Sequence, residues 1–124
     1  MLRLLVVDDS TLLHMNLSDQ AEFHGIGVVF ADSVTQAILR MQQETEALSY
    51  DAVLLDHRLR GEERGTVFAE WLQDNSPAMR VFLIGSLMEP GYPPEYEYIG
   101  KCFRTDILIR ALEKGCSYFE AEYA

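Results

Sequence analysis

Cysteine is scarce in this chain of 124 residues: there are two, Cys102 and Cys116. They lack CxxC spacing, so neither a disulfide framework nor a zinc site is indicated. If the segment between them is helical, about 14 residues at about 1.5 Å each carry them beyond disulfide reach. Basic residues are also few, 10 against 20 acids, for a net charge of −10. That balance repels phosphate backbones and argues against nucleic-acid binding, while it suits a protein partner or a bound cation. No apolar run is long enough to predict a membrane span. The N-terminal MLRLLVVDDS meets acids at Asp8, before any signal-peptide core can form, and a cytoplasmic location is expected. Repeats, low-complexity tracts, linkers and Gly-rich phosphate loops are absent. One domain spanning 1–124 is expected.

What is present is a series of short apolar runs alternating with helical stretches. Leu4 to Val7 reads as a strand buried on both faces. Ser10 can cap a helix bearing Leu13, Leu17 and Ala21, with Gly25 as its stop. Val28–Phe30 is a second strand, and Asp32 or Ser33 caps a helix with Val34, Ala37, Ile38 and Met41. Ala52–Leu55 is a third strand, ending in Asp56. A polar loop leads to a helix with Val67, Phe68, Trp71 and Leu72 as its apolar stripe. Val81–Ile84 is the fourth strand. Tyr98–Gly100 is a weak fifth, and Thr105 or Asp106 caps a last helix. Strands alternating with helices predict a parallel sheet covered on both faces. Ligands of such sheets bind at the carboxyl ends of the strands. Asp8-Asp9, Asp56, Gly85-Ser86 and Lys101 all fall there.

If strands 1 and 3 are neighbours, Asp8, Asp9 and Asp56 converge. Two carboxylates about 4 Å apart repel by about 4 kcal/mol at an effective dielectric of about 20. Either one takes up a proton or a cation sits among them. Mg²⁺, hard and oxygen-seeking, is the natural candidate, with Mn²⁺ as its substitute. Lys101 adds a positive charge able to pair with Asp56 or with a bound phosphate. An acid, a divalent ion and a lysine are the parts that phosphoryl transfer needs, with a carboxylate as nucleophile giving an acyl phosphate. A lone acid at a strand end is commonly a cap. Three acids at two strand ends, with a lysine after the fifth, favour a site.

VVDDS after the first strand, VLLD in the third and Tyr98-Ile-Gly-Lys-Cys-Phe103 in the fifth resemble the receiver domain of bacterial response regulators. The resemblance runs from Leu2 to about Lys114. It implies a flavodoxin-like doubly wound sheet of five parallel strands, order 2-1-3-4-5. It implies that Asp56 accepts phosphate from a phosphohistidine on a histidine kinase or histidine phosphotransfer protein, docking near helix 1. Asp8, Asp9 and Asp56, with the Arg58 backbone carbonyl, would hold the metal. Lys101 would contact the phosphoryl group, and Tyr98 matches the aromatic whose rotation reports phosphorylation.

The chain departs from that pattern in four places. Gly85 stands where the family carries Thr or Ser, and a slip of one residue could bring in Ser86. Cys102 replaces the proline after the lysine; a non-proline cis bond costs about 2.5–4 kcal/mol, so a trans Lys101–Cys102 bond is the cheaper choice. Gly85 to Lys101 is only 16 positions, and Pro90, Pro93 and Pro94 oppose helix formation. The fourth helix is therefore expected to be missing or reduced, and a homodimer would need a non-standard geometry. Met88, Tyr92 and Tyr96 either form a partner patch or tuck onto the sheet edge. Finally, the loop after Asp56 is one residue longer than usual, and Arg58 is placed to pair with Asp8 or Asp9 and compete with the metal. His57 is expected to face away from Asp56, since neighbouring strand residues alternate. His14 and His24 lack ligand spacing.

The expectation is a Mg²⁺-dependent phosphoacceptor domain that catalyses its own phosphorylation and is not otherwise an enzyme. A pseudo-receiver, a binding module independent of phosphorylation, is the alternative. A phosphohydrolase on a similar sheet lacks its Asp-x-Asp motif after strand 1.

Overall fold

A computed structural model describes residues 2–45, 49–59, 64–85, 91–100 and 102–123. Five parallel strands form one sheet in the order β2-β1-β3-β4-β5. They are β1 (Arg3–Val7), β2 (Gly27–Ala31), β3 (Ala52–Asp56), β4 (Arg80–Ile84) and β5 (Glu97–Tyr98). The helices are α1 (Thr11–His24), α2 (Val34–Gln42), α3 (Gly65–Asn75), α4 (Thr105–Lys114) and α5 (Tyr118–Glu122).

The period-two geometry of a strand sorts the apolar runs into two cores. Leu5, Val7, Val53, Leu55 and Leu83 face Ala37 and Met41 of α2 and Phe68 and Leu72 of α3. Leu4, Val6, Leu54, Phe82 and Ile84 face Leu17 of α1 and Leu108 of α4. Continuous apolar strands therefore have helices on both faces, the doubly wound arrangement expected from the sequence.

The caps follow local chemistry. The Ser10 and Ser33 hydroxyls accept from the amides of Leu13 and Gln36 at 3.3 and 3.1 Å, satisfying orphan donors of α1 and α2. Gly25 ends α1 at φ 69°, a left-handed conformation that glycine adopts without a Cβ penalty.

Several local expectations are corrected. Ser33, not Asp32, caps α2. Neither Thr105 nor Asp106 caps α4: Arg104 holds that position without a side-chain bond. Asp106 instead sits in the first turn, 2.7 Å from the Arg104 guanidinium. Burial is the largest single influence and pushes its pKa up, but the hydrogen bond and charge of Arg104, with backbone hydrogen bonds, together outweigh it, and the carboxyl lies below its usual range. Val67 is exposed, and Ala69 joins Phe68 and Leu72 in the buried stripe of α3. Strand β5 lies at Glu97–Tyr98, starting one residue and ending two residues earlier than predicted; Gly100 is left-handed at φ 71° and lies beyond it. Helix α5 is an element the apolar periodicity did not reveal. Its signal is the Ser-x-x-Glu capping box, with the Ser117 hydroxyl accepting from Glu120 N at 3.0 Å.

Between β4 and β5 none of the described residues is helical; residues 91–96 form turns. Tyr96 is buried in the core facing α2 and α3, and Tyr92 packs against it. Both tuck onto the sheet edge rather than forming an exposed patch; Met88 lies outside the described residues.

Candidate phosphoryl and metal site

The acids meet because β1 and β3 are adjacent. The register pairs Val7 with Leu55, so the residues that follow each strand emerge at the same edge. One carboxylate oxygen from each of Asp8, Asp9 and Asp56 lies within 4.8 Å of the others. Asp8 and Asp56 are 0% and 2% exposed, so their charges are not dissipated into bulk water. At about 5 Å and an effective dielectric of about 20, each like-charged pair costs about 3 kcal/mol.

Local hydrogen bonds hold the acids in place. Asp8 Oδ1 accepts from Ser10 N at 2.7 Å and Asp56 Oδ1 accepts from Arg58 N at 3.2 Å. Both are i to i+2 bonds in which an Asp side chain satisfies a turn amide. The positive end of α1 begins two residues after Asp9 and partly offsets its charge. His14 braces the β1–α1 turn: its Nε2 lies 2.6 Å from the Asp8 carbonyl oxygen and its ring stacks on Phe30 at 4.3 Å.

The donor set consists of three carboxylates, which is oxygen-only and carries up to three negative charges. That is the chemistry Mg²⁺ or Mn²⁺ takes, and a divalent ion removes the mutual repulsion. Arg58 directs its amide to Asp56 while its side chain is exposed. Among the described residues no ion pair joins Arg58 to Asp8 or Asp9. Lys101 and Ser86 lie outside the described residues, as does the Lys101–Cys102 bond. Tyr98 is half-buried, and its hydroxyl donates to the Gly85 carbonyl at 2.5 Å. That bond ties β5 to the end of β4 beside the acids.

Two residues at this edge escaped the sequence reading. His57 is buried, and its Nδ1 lies 3.7 Å from Asp56 Oδ1. β3 ends at Asp56 and the chain bends at His57, so the ring comes within that distance of the carboxylate although it occupies the side on which Gly85 would carry a side chain. Gly65 is packed so closely that a β-carbon there would strike the Asp56 carbonyl oxygen and stand 2.9 Å from the Tyr92 hydroxyl. Its amide donates to the His57 carbonyl at 3.0 Å, and Arg58 bridges Arg64 in antiparallel fashion. The loop after β3 is thus closed against the strand it leaves. The register Asp56↔Ile84 puts residues 57 and 85 on the next rung. A large residue facing a glycine across that rung was the available signal.

The parallel sheet of order 2-1-3-4-5, with helices on both faces and the acids at its carboxyl edge, has the fold of CheY-like response regulator receiver domains. No family model and no curated protein matches the chain by sequence. Solved structures do match in fold. A CheY-like response regulator receiver domain protein from Methanospirillum hungatei is 20% identical with a TM-score of 0.75, covering 99% of this chain and 98% of its own. The response regulator TrrA from Thermotoga maritima, solved in complex with Mg²⁺-BeF, is 23% identical with a TM-score of 0.75, covering 92% of this chain and 98% of its own. A complex of the histidine kinase ThkA with TrrA matches at 23% identity and a TM-score of 0.73, covering 94% of this chain and 100% of that one.

Proposed function

We propose that this chain is a phosphoacceptor receiver domain of two-component signalling, with Asp56 as the residue that carries the phosphoryl group. The observation that carries this reading is the convergence of Asp8, Asp9 and Asp56 oxygens within 4.8 Å at the carboxyl edge of the sheet. The similarity to a regulator solved with Mg²⁺-BeF, and to one solved with a histidine kinase, supports it.

In the proposed reaction an Asp56 carboxylate oxygen attacks phosphorus on a phosphohistidine of the partner. The new O–P bond forms as the N–P bond breaks. The electron pair stays on the partner's imidazole nitrogen, which takes up a proton from solvent. Asp8, Asp9 and Asp56, with the Arg58 carbonyl, would hold Mg²⁺ (or Mn²⁺). That ion supplies neutralising charge for the oxygens of the transferring group. Lys101 is assigned the contact to the phosphoryl group, Ser86 a hydroxyl contact, and Tyr98 the reporting aromatic. The chain turns over no separate metabolite. Leu12 and Met15 of α1, 67% and 61% exposed, offer an apolar surface close to the acids, where a histidine kinase or histidine phosphotransfer protein could dock.

The pseudo-receiver reading also has an observation behind it. Gly85 offers no hydroxyl at the end of β4, and no described residue between β4 and β5 is helical. Incubation with acetyl phosphate and Mg²⁺ followed by intact mass measurement separates the two. A phosphoryl adduct that disappears in Asp56→Asn supports the phosphoacceptor; no adduct at any Mg²⁺ concentration supports the binding module.

A further inference from the structure

Beyond the acids, the most tightly built feature at this edge is the pair His57 and Gly85. His57 is 6% exposed, and its ring fills the space that any side chain at position 85 would need. A β-carbon built on Gly85 would overlap His57 at Nδ1 and Cε1. The two positions share one volume, and the imidazole has it. The edge of the ring that takes this place carries Nδ1, the same atom that stands 3.7 Å from Asp56 Oδ1. That separation is too long for a direct hydrogen bond to the carboxylate. It leaves Nδ1 beside the oxygen on which, in the proposed reaction, the phosphoryl group is built.

We infer that His57 is a phosphoryl-binding residue: its Nδ1–H donates to an oxygen of the group carried on Asp56, from the place a position-85 side chain would fill. The inference rests on the phosphoacceptor reading above. The physical reason is that an acyl phosphate presents anionic oxygens, and a donor already fixed in a buried site binds them without reorganising. The surroundings hold the ring in that position. Gly85 gives it room, and the Tyr98 hydroxyl fixes the Gly85 carbonyl. Gly65 N holds the His57 carbonyl at 3.0 Å. Loss of the side chain at 85 and gain of a ring at 57 are two halves of one exchange. Gly85 therefore does not by itself mark a defective site.

The test uses beryllofluoride with Mg²⁺ as the phosphoryl stand-in, read by fluorine NMR, together with acetyl phosphate uptake by intact mass. His57→Phe keeps the bulk of the ring and removes the donor. His57→Asn puts an amide N–H close to where Nδ1 stands. The expected result is about a tenfold loss of beryllofluoride affinity in His57→Phe, as for one hydrogen bond to a charged group, with most of it recovered in His57→Asn. Uptake by the wild type with undiminished affinity in His57→Phe overturns the role of His57 and leaves the phosphoacceptor reading standing. Absence of any adduct on the wild type overturns both. Urea unfolding of the metal-free protein supplies a second arm. Gly85→Ser is expected to lower the midpoint in the wild-type background and to be tolerated in His57→Ala. Strictly additive effects of the two changes would overturn the shared volume.

Discussion

Gly65→Ala tests how tightly the loop after β3 is held against the acceptor. Two effects of opposite sign compete. Gly65 is the first residue of α3, and alanine is favoured over glycine in a helix by up to about 1 kcal/mol. Its φ is not in the left-handed range, so no conformational penalty opposes the change. Helix propensity taken alone therefore predicts stabilisation. Against it stands the contact geometry. The new β-carbon would meet the Asp56 carbonyl oxygen well inside 3.0 Å, with the Tyr92 hydroxyl at 2.9 Å and His57 Cα at 3.1 Å. Two of those three atoms belong to backbone, which cannot swing aside as the end of a side chain can. Overpacking of this kind costs about 1–3 kcal/mol, and backbone obstruction puts it at the upper end. The net expectation is about 2 kcal/mol of destabilisation. That corresponds to a urea midpoint lower by about 1 M, or a Tm lower by about 8 °C for a domain of this size. Urea unfolding followed by circular dichroism measures it, with an unchanged m value showing that the unfolding reaction is the same. The strain is relieved by moving the Asp56–His57 peptide, so phosphoryl uptake from acetyl phosphate should fall as well. A variant as stable as the parent, or more stable, would refute the reasoning and show that helix propensity governs the site.

Other expectations follow from the same structure. Asp56→Asn removes one charge from a cluster whose members lie within 4.8 Å; the metal-free protein should gain about 1–2 kcal/mol and lose its stabilisation by Mg²⁺, both read from thermal melts with and without the ion. Phe82, with no exposed surface between α1 and α4, should cost about 3–5 kcal/mol on truncation to alanine, measured by denaturant unfolding. Tyr96 accepts from Gln73 Nε2 at 3.1 Å, and burial, only partly countered by that bond, raises its pKa above the usual 10.0. The folded protein then holds this proton where the unfolded chain releases it. The resulting stability is fully present below about pH 10 and is lost as pH rises through the folded value. Tyr96→Phe should flatten the fall in stability above pH 10, and an unchanged slope would exclude Tyr96 as its source. Tyr50, raised chiefly by burial, contributes in the same direction and serves as the comparison variant.

Much of this molecule can be read from the one-dimensional pattern, for reasons that are local. Leu4–Val7 and Ala52–Leu55 are continuous apolar runs because both faces of their strands are covered, and alternation with helical segments makes the sheet parallel. Ser10 and Gly25 bound α1 through a hydroxyl and a left-handed turn that neighbouring residues supply. The convergence of Asp8, Asp9 and Asp56 also followed from sequence, since residues just past adjacent parallel strands must emerge at one edge. The prolines after β4 similarly foretold turns rather than helix at residues 91–96.

What only the tertiary structure decided depends on contacts between segments far apart in the chain. No local propensity marks Gly65 as pinned beneath the Asp56 carbonyl or Tyr96 as core. His57 was expected to face away from Asp56 because strand residues alternate, yet β3 ends at Asp56, the chain bends at His57, and the ring seated over Gly85 brings Nδ1 to 3.7 Å from the carboxylate. At that rung the missing side chain of one strand is the space for the ring of its neighbour. Volume shared between residues 28 positions apart is a property of packing, so no reading of either segment alone could reveal it.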